Sequence, residues 1–139
     1  MVRAVLHTNV IISGLLSPGG NARLVLAMAF ARKFDLIVSA ELFAEYETVI
    51  RRPKFRFRPE EIEEALTELR RVGELVKPTG QVSESPDETD NRFLECAKTG
   101  SADYLVTGNT SHFPKKWRKI EVVTIRRFLE VLTPELRRR

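Results

Sequence analysis

The stretch "AVLHTN", residues 4–9, sets the reading of the whole chain. Ala4, Val5 and Leu6 form a short apolar run of the kind that is buried as a strand. His7, Thr8 and Asn9 interrupt it before the apolar Val10, Ile11 and Ile12 resume. Polar side chains at the end of a buried strand often belong to a site. His7 is therefore either a working part of one or the remnant of one.

Outward from this point, strand and helix signals alternate. A strand over 2–6 leads into a helix over about 8–16, which "SPGG" (17–20) breaks. Residues 21–33 read as a mostly buried helix and "FDLIVS" (34–39) as a strand. A helix over 40–51 carries Leu42, Phe43, Tyr46, Val49 and Ile50 along one stripe. The clearest helix spans 59–72, where Ile62, Ala65, Leu66, Leu69 and Val72 keep helical spacing and Pro59 suits the first turn. An edge strand at 74–78, a helix over 87–99, strands at 103–107 and 121–125, and a helix at about 126–132 complete the order.

This alternation predicts an α/β fold: one domain over 1–134, a parallel sheet of about five strands with helices on both faces, and a basic tail at 135–139. Right-handed crossovers bring the C-terminal ends of the strands to one edge, where open α/β sheets bind their ligands.

Bulk properties narrow the classes. At 139 residues, 42% hydrophobic and 30% charged, the chain can build a real core. It has no apolar run of the roughly 18 residues that a membrane span needs. Its N-terminus turns polar too soon for a signal peptide. The lone Cys96 forms no intrachain disulfide, which fits a reducing cytoplasm, and reads as a small core residue. A net charge of +4 and a pI near 9.5 are compatible with a polyanionic partner. Two basic patches contain aromatic residues: "RRPKFRFR" (51–58), with five cations and no anion, and "KKWRK" (115–119). Each reads equally as solvated surface or as cations beside rings that stack on bases.

Two predicted strands deliver polar groups to the ligand edge. One ends at His7-Thr8-Asn9. The other ends at Thr107-Gly108-Asn109, with Ser111 and His112 beyond; Gly108 suits a tight turn or a close backbone approach. "HFP" (112–114) reads first as a turn that packs Phe113. Neither common nucleotide fingerprint, GxxxxGK[ST] or GxGxxG, occurs. Asp90 heads the inward stripe Asp90, Phe93, Leu94, Ala97. Ser85 and Glu88 fit a capping box, or Asp87 caps the helix and leaves Asp90 in its first turn. Glu45 and Glu47 each lie about 40° outside the apolar stripe of their helix, so periodicity does not choose between them. Carboxylates gathered in a cleft hold hard cations, and a hard cation in basic surroundings suits phosphodiester chemistry.

Four stretches, in this order and spacing, resemble the PIN-domain family, in particular the small prokaryotic members assigned to toxin–antitoxin systems. They are "VLHTNVIISGLLSPGGNARL" (5–24), "ELFAEYETVIRRPKF" (41–55), "DETDNRFLECAKTGSADYLVTGN" (87–109) and "HFP" (112–114). The resemblance implies metal-dependent cleavage of single-stranded RNA, in which acidic side chains hold Mg²⁺ or Mn²⁺. It also implies an antitoxin partner and a homodimer. It places the acidic positions at 7, at Glu45 rather than Glu47, at Asp90 and at 109. Asn9 and Thr107 match polar positions that hold the acids, and Asp87 lies near enough to act through a metal-bound water. Arg51, Arg52 and Lys54 of the first basic patch would bind the RNA backbone.

The chain departs from this pattern twice: position 7 is His7, where the family has aspartate, and position 109, the more variable of the two, is Asn109, where many members have aspartate. Glu45 and Asp90 are then left to hold the cation, with Asn109 as an accessory ligand and His7 as a substituted one. A neutral imidazole nitrogen suits Mg²⁺ poorly and softer ions better. Three readings of His7 follow: a crippled Mg²⁺ ribonuclease, an enzyme using a softer metal, or a packed residue in a module that binds RNA or a partner without cutting.

Overall fold

The computed structural model describes residues 1–79 and 88–133. At its centre lies β1 (Arg3–Leu6). Successive strand residues face opposite sides of a sheet, so a strand covered on both faces must be apolar throughout. Ala4, Val5 and Leu6 meet that demand, and all three are fully buried.

The chain then runs through α1 (Thr8–Leu16), α2 (Asn21–Phe30), β2 (Asp35–Ser39), α3 (Ala40–Ile50), α4 (Pro59–Val72) and β3 (Glu74–Val76). It continues with α5 (Glu88–Thr99), β4 (Tyr104–Val106), β5 (Lys116–Trp117), β6 (Ile120–Val123) and α6 (Ile125–Leu132). The described residues form one six-stranded sheet in the order β3-β2-β1-β4-β6-β5. Its first five members run parallel; β5 pairs antiparallel with β6.

The sheet thus has one strand more than the sequence predicts. The extra β5 is two residues long and basic, with no apolar alternation to announce it. It is created by the turn at Arg118, which adopts a left-handed φ of 59°. The last parallel strand also stops at Val123 rather than 125, because the Thr124 hydroxyl accepts from the Arg127 N–H and caps α6. The helix predicted over 21–33 ends at Phe30, and Arg32 takes a left-handed φ of 57° in the turn that follows. Among the described residues no single helix is long and apolar enough to cross a membrane.

One topological feature positions the site. From β1 the chain steps first toward β2 and β3. It returns to the other side of β1 only at β4. The order therefore reverses between β1 and β4, the place where open parallel sheets leave a crevice beyond their strand ends. The His7 N–H donates to the Val106 carbonyl across this gap at 2.8 Å. Tyr46 of α3, wholly buried, donates its hydroxyl to the Leu6 carbonyl and ties α3 to the same strand end.

Candidate functional site

Beyond the ends of β1 and β4 lies a cleft of about 570 Å³. His7, Asn9, Glu45, Asp90, Arg52 and His112 are among its lining residues. Five parts of the chain deliver them: the β1–α1 junction, α3, the segment just after α3, the first turn of α5 and the loop after β4.

At its floor His7 and Asp90 are joined. The His7 Nε2 lies 3.0 Å from Asp90 Oδ1, with only 13% and 5% of the two side chains exposed. An ionised carboxylate only accepts, so Nε2 carries the donated proton when Asp90 is charged. The other ring nitrogen, Nδ1, lies 3.3 Å from the Thr107 hydroxyl. The rings of Phe93 and Phe113 stand edge-on to the imidazole at 4.7 and 5.4 Å. His7 is thus held through both ring nitrogens and between the two phenylalanine rings.

Thr107 is fully buried and acts as a hub. Its hydroxyl accepts from the Asn109 N–H at 3.1 Å and meets the Asn9 amide at 3.4 Å. Asn9 accepts in turn from the Gly108 N–H at 3.0 Å. The two polar strand ends, nearly 100 residues apart in sequence, are stitched to each other. Gly108 needs no glycine-only backbone, since no described glycine has a positive φ. A Cβ there would meet Asn9 at an ordinary 3.6 Å.

The other residues named from sequence divide clearly. Glu45 lines the cleft, whereas Glu47 faces away and pairs with Arg51 at 2.9 Å. Arg51 pairs as well with Glu63 at 2.9 Å, so its charge is already matched by two carboxylates. Arg52 lines the cleft, and Lys54 lies over the Phe55 ring at 5.1 Å. Asn109 turns its side chain on its own loop. Its carbonyl oxygen accepts from Ser111 Oγ at 2.6 Å and from the Ser111 N–H, and its amide meets His112 Nε2 at 3.1 Å. Ser85 and Asp87 lie outside the described residues.

His112 goes beyond its sequence reading. Phe113 is buried as a turn residue would be, but His112 also enters the cleft, with Nδ1 3.7 Å from Asp90 Oδ2. Asp90 Oδ2 is itself buried and accepts no hydrogen bond among the described residues. Phe55 lines the cleft too, a contribution that its place in a basic run only hinted at.

The donor set does not fit a Mg²⁺ site. Mg²⁺ takes near-octahedral oxygen ligands. Here His7 puts a nitrogen where an anionic oxygen is expected and holds one of the two Asp90 oxygens by a hydrogen bond. Asn109 has its carbonyl engaged elsewhere. Among the described residues no three His, Cys, Asp or Glu side chains converge to enclose an ion.

A family model described as a PIN domain matches residues 3–111. An uncharacterized protein of Methanocaldococcus jannaschii is similar as well. It is 28% identical over 111 residues, which cover 78% of this chain and 71% of the relative.

Proposed function

This chain belongs to the PIN-domain family, and on that premise we propose that it is an eroded ribonuclease: it engages single-stranded RNA at the cleft, and Mg²⁺-dependent hydrolysis is weak or lost. PIN domains are generally nucleases that use Mg²⁺ or Mn²⁺. The observation that carries the erosion is the 3.0 Å contact from His7 Nε2 to Asp90 Oδ1. It replaces an expected ligand and occupies a second one at once. Glu45 and Asp90 remain as the acids of the site, and Arg52 and Lys54 supply cations for the backbone. Arg51 is the weaker candidate, since its guanidinium is already ion-paired. A toxin role, an antitoxin partner, a homodimer and a cytoplasmic setting belong to the same proposal on the strength of the family alone.

The test is cleavage of a labelled single-stranded RNA with Mg²⁺, Mn²⁺ or Zn²⁺ by the native protein, His7→Asp and His7→Ala. Native protein should cut slowly or not at all with Mg²⁺. His7→Asp should gain at least about tenfold, the equivalent of one modest ligand contact, and lose the gain on adding Asp90→Asn. Equal Mg²⁺ rates for native protein and His7→Asp would refute erosion. Zn²⁺- or Mn²⁺-dependent cutting lost in His7→Ala would favour a softer-metal enzyme. Salt-sensitive RNA binding with no cutting by native protein or His7→Asp would favour a non-catalytic binding module.

A further inference from the structure

The segment between α3 and α4 sets cations beside aromatic rings at the edge of the cleft. Arg51 and Arg58 pair with glutamates at either end of this segment. Between those ends Arg52, Lys54 and Arg56 are exposed and make no ion pair among the described residues. They alternate with two phenylalanines. Phe55 and Phe57 are half-buried, anchored on the core, and stacked with ring centroids 5.7 Å apart and planes 21° from parallel.

Local backbone accounts for the arrangement. Pro53–Phe55 form a single 3-10 turn, and Arg56 closes it in a left-handed conformation with φ 55°, its N–H donating to the Pro53 carbonyl at 3.1 Å. Glycine would hold that position more easily. The chain carries a cation there instead.

The segment also reaches the site. Phe55 and Arg52 line the same cleft as His7, Glu45 and Asp90. An aromatic ring that is anchored at its base and open toward a cleft can take an unpaired base on its face. Unmatched cations beside it suit the flanking phosphates. Lys54 Nζ, now over Phe55, is exposed and free to swing to a phosphate when a base takes the ring.

We propose that Phe55, backed by Phe57 and flanked by Arg52, Lys54 and Arg56, is a base-stacking subsite that seats one unpaired nucleotide at the mouth of the cleft. The subsite selects single-stranded over duplex nucleic acid, because paired bases are already stacked on one another. It rests on the reading of the cleft as an RNA site and adds to it a recognition of bases as well as of charge.

The test measures metal-free binding of the full chain by fluorescence anisotropy. The probes are an oligouridylate, the same sugar–phosphate backbone without bases, and an RNA duplex. Native protein should bind the oligouridylate best. Phe55→Leu should weaken that binding by roughly five- to 150-fold, the usual range for one base stacked on a ring, while leaving its salt dependence unchanged. Phe55→Tyr should retain native affinity, which separates loss of stacking from loss of packing. Arg52→Gln should flatten the log–log salt slope by about 0.7, as for one lost phosphate contact. The subsite is overturned if the abasic backbone binds as tightly as the oligouridylate, or if Phe55→Leu binds like the native protein. In either case the cleft remains an electrostatic RNA site. If the native protein binds none of the three probes, the RNA reading itself falls, and the subsite with it.

Discussion

Under the proposed function, His7 changes the site without disturbing the fold. Its ring fills the space between Phe93 and Phe113, reaches Thr107 on one side and holds Asp90 on the other. Replacing it by aspartate would set two carboxylates face to face, which is unfavourable until a cation bridges them. His7→Asp should therefore melt below the native protein in EDTA and recover with Mg²⁺ or Mn²⁺. At a hundredfold excess over Kd the recovery is about 2.7 kcal/mol, or roughly 5–10 °C for a chain of this size. The native Tm should not move with Mg²⁺. Calorimetry reads both, and a native protein stabilised equally by Mg²⁺ would contradict the reading of the donor set. Tyr46 is the second decisive residue. Tyr46→Phe leaves the Leu6 carbonyl without its hydroxyl partner and should lower stability by about 1–2 kcal/mol, visible in urea unfolding as a lower midpoint with an unchanged slope.

Helix ends carry a prediction of their own. After α5 the Ala102 N–H donates to the Ala97 carbonyl at 2.9 Å and the Ser101 N–H to Lys98 at 3.2 Å. This pair of bonds places Ser101 in the left-handed position, with φ 51°, where glycine is strongly preferred. Ser101→Gly should stabilise the fold by about 1 kcal/mol, the cost of left-handed backbone for an L side chain. A gain of a few degrees in Tm would bear this out, and a loss would mean that the serine makes a contact outweighing the strain. The turn after α2 follows the same pattern at Arg32, whose Lys33 neighbour donates to the Met28 carbonyl. There the arginine also donates to the Arg71 carbonyl at 2.8 Å, so glycine would gain less.

For the molecule as a whole, the buried Cys96 thiol and Tyr46 hydroxyl tie stability to alkaline pH. Burial pushes the Cys96 thiol up to about 12, against a weaker opposite pull from its hydrogen bond with Ser39. Burial likewise holds Tyr46 well above its ordinary value. Both groups stay protonated when folded but ionise in the unfolded chain near pH 8.5 and 10. Their contribution is whole below those values and is lost as pH rises toward the folded ones, because the unfolded state then releases protons that the native state keeps. Tm should hold between about pH 7 and 8 and fall steadily above about 9. Cys96→Ala should soften the first part of the fall. A Cys96 in the native protein that reacts rapidly with a thiol reagent at pH 8 would show that the core opens more readily than this burial implies.

Periodicity and composition alone determined the alternation of strands and helices, the burial of β1 and the edge of the sheet where polar groups collect. These follow from local spacing, since apolar runs and helical stripes must be buried wherever the chain goes. Resemblance of motifs singled out Glu45 over Glu47, and the fold puts Glu45 in the cleft and Glu47 against Arg51. Other features were settled only when distant segments met. His7 and Asp90 are 83 residues apart, and no spacing rule foretells their hydrogen bond. His112 enters the cleft because the loop after β4 folds over α5, and Asn109 is drawn aside by Ser111 in the same loop. The two-residue β5 forms where the turn at Arg118 brings it against the edge of β6. Side-chain pattern records which residues must leave water; which polar groups then face each other is decided by the crossing of the chain at the β1–β4 reversal, where long-range contact fixes direction and partner together.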